Sequence, residues 1–285
     1  MKTFAFLLSL FFCTSLLAQT AVQAGDKVTY LDEDGTVLNS NMFKRGTSFS
    51  EGLAAVDVSH AGEKPLWFFI GTDYSVKIPY GYDSVGNFHH GLCPVKKEGI
   101  WFYIGKDGLA VINEDYSEAG NFHNGMAVVT GRNGTFIIDT LGHPACFGFY
   151  EKISQIGDSC FGALPKGEQF WSLFNLNGDT LLNDSFYYVA PSIGGQVLVN
   201  RLGGYRFLNK KGDLLFGRAF LEATPFSNGW ACIRQEDDWF LMDEQGKVKK
   251  DTRLKSPVRM QYPLTPAQNY NGKYGVLNLE GNWVY

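Results

Sequence analysis

FHHGLCPVKKEGIWFYIGKDG, residues 88–108, holds two short patterns that return through most of the chain. The first is an aromatic residue, two polar residues, Gly, one residue, a small residue, one residue, then Val or Ile. It recurs as FSEGLAAV at Phe49–Val56, FHNGMAVV at Phe122–Val129 and FSNGWACI at Phe226–Ile233. Worn copies lie near Ile156–Ala163 and Ser192–Val199. A period of two places Ala54, Cys93, Ala127 and Ala231 on the face shared by Val56, Val95, Val129 and Ile233. A small residue there leaves room for a ring from another strand. The Gly before it suits a positive φ or a bulge at the strand entrance.

The second pattern is an aromatic residue, a variable one, two apolar residues, Asp or Asn, two polar residues and Gly. Its copies start at residues 28, 67, 101, 135, 171, 205, 239 and 274, in steps of 39, 34, 34, 36, 34, 34 and 35. Asp or Asn three residues before Gly is the chemistry of a type I turn closed by a left-handed residue. Asp32, Asp139, Asn175, Asn209, Asp243 and Asn278 therefore end strands. Gly35, Gly108, Gly142, Gly178, Gly212, Gly246 and Gly281 open the next ones, such as TVLNS at Thr36 and LAVINEDY at Leu109. Each unit reads as a three-stranded meander. A single meander buries little, so neighbours must stack to complete a core.

Together the two patterns resemble the bacterial WG repeat from about Val28 to Gly281. The best single match is NGKYGVLNLEG, Asn271–Gly281, with Gly275 at the family's Gly. Elsewhere that Gly is replaced by Phe68, Phe102, Phe136, Ser172, Arg206 and Phe240. The resemblance implies an architecture and no shared catalytic activity. The expected fold is all-β, about eight stacked meanders of 34–36 residues. An open superhelical stack is favoured over a closed propeller-like ring, because copies of the second pattern outnumber those of the first.

The N-terminus reads as a secretion signal over residues 1–24, with the repeat array over 25–285. Lys2 precedes an apolar run from Phe4 to Leu17, and cleavage after Ala18 or Ala24 is expected. The run is too short for the ~20 apolar residues that span a bilayer. Phe11 and Phe12 before Cys13 break any lipobox, so a periplasmic or secreted location is expected. Of 25 basic residues only Lys2 lies in the signal, so 29 acidic residues leave a net charge of −5, unlike a nucleic-acid binder. With 33 Gly and 15% aromatic residues, the composition is that of many short strands.

Candidate chemistry is sparse. His89 and His123 hold one position in adjacent units, with His90 beside them, but the equivalents Ser50 and Ser227 mark it as a polar loop site. No metal-ligand spacing, nucleophile elbow, P-loop or dinucleotide fingerprint is present, and Asp32-Glu33-Asp34-Gly35 lacks the rest of a calcium loop. No metal or cofactor is expected. Cys93 takes the small inward position, Cys232 lies one residue past it, and Cys146 and Cys160 are spaced to bridge neighbouring strands. Carboxylate pairs such as Glu114–Asp115 and Asp237–Asp238 read as solvated turns. Trp67, Trp101, Trp171, Tyr205, Trp239 and Tyr274 form a ladder at one repeat position, read as a core spine, the alternative being an exposed rail for glycans or peptides. Trp230 and Trp283 fall outside it and are expected to be exposed, which makes them binding candidates with His89, His90 and His123. The function expected is non-enzymatic binding of, or scaffolding for, a protein or glycan of the cell envelope. A glycan-acting envelope hydrolase and a structural spacer are the alternatives.

Overall fold

Both patterns fold as hairpins, and their turn chemistry is the one the residues dictate. In a computed structural model, Gly142 (φ 85°) donates its N–H to the Asp139 carbonyl at 3.0 Å. The Asp139 carboxylate accepts the N–H groups of Leu141 and His143, each at 2.9 Å. Asp32, Asn209 and Asp243 repeat this arrangement, which fixes the end of one strand and the start of the next. The first pattern closes as a two-residue turn with φ positive at both central positions: Glu51-Gly52, His90-Gly91, Asn124-Gly125 and Asn228-Gly229. Backbone bonds pair Ser50 with Leu53, His89 with Leu92, His123 with Met126 and Ser227 with Trp230. That is the primed hairpin turn, which matches the twist of the flanking strands.

The structure describes residues 19–284 apart from 25–26, 33, 41–42, 61, 147, 159, 193 and 261–262. Lys2, Cys13 and Ala18 of the expected signal, and Glu33 of the acidic run, lie outside the described residues. The strands fall into successive antiparallel units. Unit 1 is β1 (Thr20–Ala24), β2 (Lys27–Leu31) and β3 (Val37–Ser40); unit 2 is β4 (Leu53–Asp57), β5 (Trp67–Gly71) and β6 (Val76–Tyr82). Unit 3 has four strands: β7 (Ser84–Val85), β8 (Cys93–Lys97), β9 (Ile100–Ile104) and β10 (Ala110–Tyr116). Unit 4 is β11 (Glu118–Ala119), β12 (Met126–Gly131) and β13 (Gly134–Asp139). Unit 5 is β14 (Tyr150–Ile156), β15 (Cys160–Pro165), β16 (Trp171–Asn175) and β17 (Thr180–Phe186). The single pair Thr135–Tyr150 joins units 4 and 5 into one sheet of seven strands. Unit 6 is β18 (Tyr188–Pro191), β19 (Val197–Arg201) and β20 (Gly204–Leu208). Unit 7 is β21 (Trp230–Gln235), β22 (Asp238–Asp243) and β23 (Val248–Leu254), and unit 8 is β24 (Leu264–Gln268) and β25 (Tyr274–Asn278).

The expected all-β stack of small meanders is what forms, and among the described residues no sheet closes into a barrel. Four-stranded unit 3 exceeds the three strands read from sequence because two residues, Ser84 and Val85, add an inner strand too short to carry a period.

Apolar residues meet between units rather than within them. Ala54 and Val56 of unit 2 pack on Val28 and Tyr30 of unit 1, while Leu53 and Ala55, on the opposite face, pack on Phe88 and Val95 of unit 3. Cys93, Ala127 and Ala231 fill the small inward position as expected, all at 1% exposure or less. The room they leave is taken by a recurring ring pair nineteen residues apart: Tyr30–Phe49, Phe69–Phe88, Tyr103–Phe122 and Phe207–Phe226, with centroids 4.9–5.3 Å apart. Among the described residues, each neighbouring pair of units shares one such cluster. An eighth cluster joins Val22 and Leu31 of unit 1 to Leu264 and Val276 of unit 8. The repeat favoured an open stack, and in the folded chain the first and last units of that stack touch through this cluster.

Candidate functional site between units 4 and 8

The residues that follow and precede the first-pattern aromatic come together where successive units converge. Neighbouring units are laced there by hydrogen bonds. The Ser50 hydroxyl donates to the Phe88 carbonyl at 2.5 Å, and the Asn87 N–H donates to Oδ1 of Asn121 at 2.9 Å. Further round, the Phe226 N–H donates to the Ser192 hydroxyl at 3.1 Å, and the Ser227 hydroxyl to the Met260 carbonyl at 2.9 Å. These loop side chains reach the next unit along the chain.

The histidines belong to this belt. His89 and His123 face each other with ring centroids 5.4 Å apart, as their shared repeat position suggested, and Nε2 of His90 accepts the Gly125 N–H at 3.1 Å. Burial lowers the pKa of His89, which the Glu51 carboxylate opposes and His90 reinforces. Burial also lowers that of His123, followed by the charges of His89, Arg259 and His90. Among the described residues no group of three or more His, Cys, Asp or Glu side chains is arranged to hold a metal.

Between units 4 and 8 the belt encloses a cavity of about 530 Å³. Its walls include Asn121 and His123 from unit 4, Ser154 from unit 5, Gly194 before β19, Asn228 before β21, and Arg259 before β24. A second cavity of about 710 Å³ shares Gly120 and Val128 with the first, so β12 lines both. The first cavity draws its walls from units 4 to 8, whereas the second is lined by units 4 and 5 alone. Arg259 was missed from sequence. It precedes Met260, which stands where other units carry Phe, and so lies at the position held elsewhere by Ser48, Asn87 and Asn121. The missing aromatic hid the repeat there.

The remaining candidates are placed elsewhere. Trp67, Trp101, Trp171 and Trp239 are half-buried against the inter-unit clusters, and Tyr205 likewise, while Tyr274 is 77% exposed. Trp230 and Trp283, expected to be exposed, are instead half-buried against the cluster between units 7 and 8. The Trp230 indole N–H donates to the Leu279 carbonyl at 2.8 Å, and Trp283 bridges to Leu277. Trp230 of unit 7 thus packs on the closing turn of unit 8, to which Trp283 belongs. Cys146 and Cys160, which the sequence left able to bridge, form no disulfide and lie in different clusters, and Cys93 and Cys232 form none either. Burial pushes the Cys232 thiol up to about 11 and that of Cys93 higher still. Glu114 and Asp115 border a cleft of about 360 Å³ that also holds Phe136 and Phe149, but both carboxylates are exposed. An open, solvated pair lacks the enclosure that separates an acid from a base.

The class defined by this fold is a stacked array of β-meanders whose residues of common identity are consumed by packing. The WG containing repeat family model matches residues 67–101, 101–136 and 205–239, so the chain carries WG-containing repeats over part of its length. Among solved structures, a eukaryotic initiation factor is 11% identical and superposes with a TM-score of 0.55 over 95% of this chain and 96% of that one. The dihydro-heme d1 dehydrogenase NirN, in complex with DHE, gives 0.53 at 13% identity over 95% and 72%. BamB from Moraxella catarrhalis gives 0.49 at 12% identity over 90% and 95%. Identities this low show a shared fold alone. No match is found among the curated proteins.

Proposed function

We propose that the chain is a non-catalytic binding or scaffold module that works outside the cytoplasm and presents the cavity between units 4 and 8 to a protein or glycan of the cell envelope. The observation that carries this reading is the division of labour among the repeats. Side chains common to the units fill the inter-unit clusters, whereas those that differ, such as His123, Asn228 and Arg259, gather at one cavity. Function in repeat arrays lies on such variable surfaces. Export rests on the apolar N-terminal run, with cleavage after Ala18 rather than Ala24. Cleavage after Ala24 would remove β1, whose Thr20 is 1% exposed and whose Val22 packs between units 1 and 8.

The test is a glycan array and an envelope-extract pull-down with the secreted protein, each run beside a His123→Ser/Asn228→Ala variant. The expected result is a glycan or protein class retained by the native chain and released by the variant. Equal retention by both, or none by either, would leave the spacer reading ahead. Amino-terminal sequencing of the secreted protein should begin at Gln19.

A further inference from the structure

We infer that the cavity between units 4 and 8 is a binding site for a small organic monocarboxylate with an apolar body, its carboxylate held by Arg259. This goes beyond the protein- or glycan-binding reading and rests on it only for the choice of cavity. The cavity's volume of about 530 Å³ lies within the range typical of small-molecule sites.

Most of the polar lining is already committed to the framework. The Ser154 hydroxyl is hydrogen-bonded to the carbonyls of Gly162 and Val189, and the Ser227 hydroxyl and Asn228 amide both donate to the Met260 carbonyl. Oδ1 of Asn121 accepts the Asn87 N–H. Arg259 differs: among the described residues its guanidinium has neither an ion pair nor a hydrogen bond. A guanidinium stays protonated in proteins, and its planar fork of donors matches a carboxylate in two parallel bonds.

The segment that carries Arg259 is held on both sides. The Val258 N–H and carbonyl each contact Sγ of Cys232 at 3.3 Å, and Met260 is fixed by Ser227 and Asn228. The guanidinium therefore projects from an anchored backbone, which reduces the ordering cost of binding. Met126, Val128, Ile156 and Phe226 provide an apolar wall for the ligand body. A carboxylate of the wall, Glu244, sets the charge limit: it opposes a dianion such as phosphate more than a monoanion. One arginine without a lysine cluster points the same way.

The experiment is isothermal titration of the full secreted protein with N-acetyl-L-leucine, N-acetyl-L-leucinamide and inorganic phosphate. The acid should bind, the amide should bind about tenfold or more weakly, and phosphate should not displace the acid. Arg259→Gln should abolish the preference for acid over amide, and Arg259→Lys should keep part of it. Because a variant at an anchored loop can misfold, the native protein is also labelled with phenylglyoxal, and modification of Arg259 is followed by mass spectrometry. The acid should slow that modification and the amide should not. Equal binding of acid and amide, retained preference in folded Arg259→Gln, displacement by phosphate, or no protection of Arg259 would each overturn the inference. A negative titration alongside a variant-sensitive pull-down would remove the carboxylate site and leave the envelope-binding reading standing.

Discussion

At the residue scale, the histidine belt and the turn glycines show how one position serves packing and solvent at once. His89 and His123 have folded pKa values below the ordinary 6.5, so between those values and 6.5 the unfolded chain binds protons that the folded chain does not. Their contribution is fully present above about pH 6.5 and is lost as pH falls through that window. The melting temperature should therefore decline from about pH 7.5 to about pH 5. The His89→Ser/His123→Ser variant, carrying the residue of units 2 and 7, should show a shallower decline. Identical slopes in the two proteins would exclude the pair as its source. Gly108 needs more than its left-handed φ of 80°, because a β-carbon there would lie 2.7 Å from Cγ2 of Ile78 in the preceding unit. Gly99, with φ 88°, has open space around it. In urea melts Gly99→Ala should cost about 1–2 kcal/mol. Gly108→Ala should cost more, up to about 3 kcal/mol. Equal losses would mean that the turn does not rest on the neighbouring unit.

At the element scale, much was legible because it is periodic. The strand alternation, the Asp/Asn-to-Gly turn and the small inward residue all repeat, and each is required by local geometry. The inner strands β7 and β11 were not legible, since two residues carry no period. Trp230 and Trp283 were misplaced because their burial comes from the closing turn of unit 8, which no other copy reproduces. The nineteen-residue ring pair ties sequence to packing most closely. Where the later partner is Ile156 or Ser192 instead of Phe, the earlier one is Ile137 or Leu173. Aromatic thus goes with aromatic, and aliphatic with a residue that carries no ring. Tyr103 and Phe122, centroids 4.9 Å apart, should then couple through their rings. A double-mutant cycle using Tyr103→Leu and Phe122→Leu should give about 0.5–1.5 kcal/mol of coupling. Additive losses would show that each ring acts by area alone.

At the scale of the whole molecule, the meeting of the first and last units bears on stability and on the placing of unit 8, which walls the cavity. A stack whose units contact only sequence neighbours leaves a bare face at each end. Here Leu31, Leu264 and Val276 are fully buried because β1 brings Val22 between units 1 and 8. Contacts between residues more than two hundred positions apart leave no trace in a 34-residue period, so the sequence could not announce them. The same convergence sets Arg259 of unit 8 near enough to His123 of unit 4 for their charges to interact. Removing residues 19–24 should bare that cluster, while Val22→Asp would place an unpaired carboxylate in it. Each should cost at least the ~1.5–3 kcal/mol of burying one valine. The truncated chain should also gain a larger radius of gyration in small-angle scattering, as its ends come apart. A truncated chain that melts and scatters like the complete one would show that β1 is dispensable. Cleavage after Ala24 would then be compatible with the fold, and the cavity would have to be held together by the remaining seven interfaces.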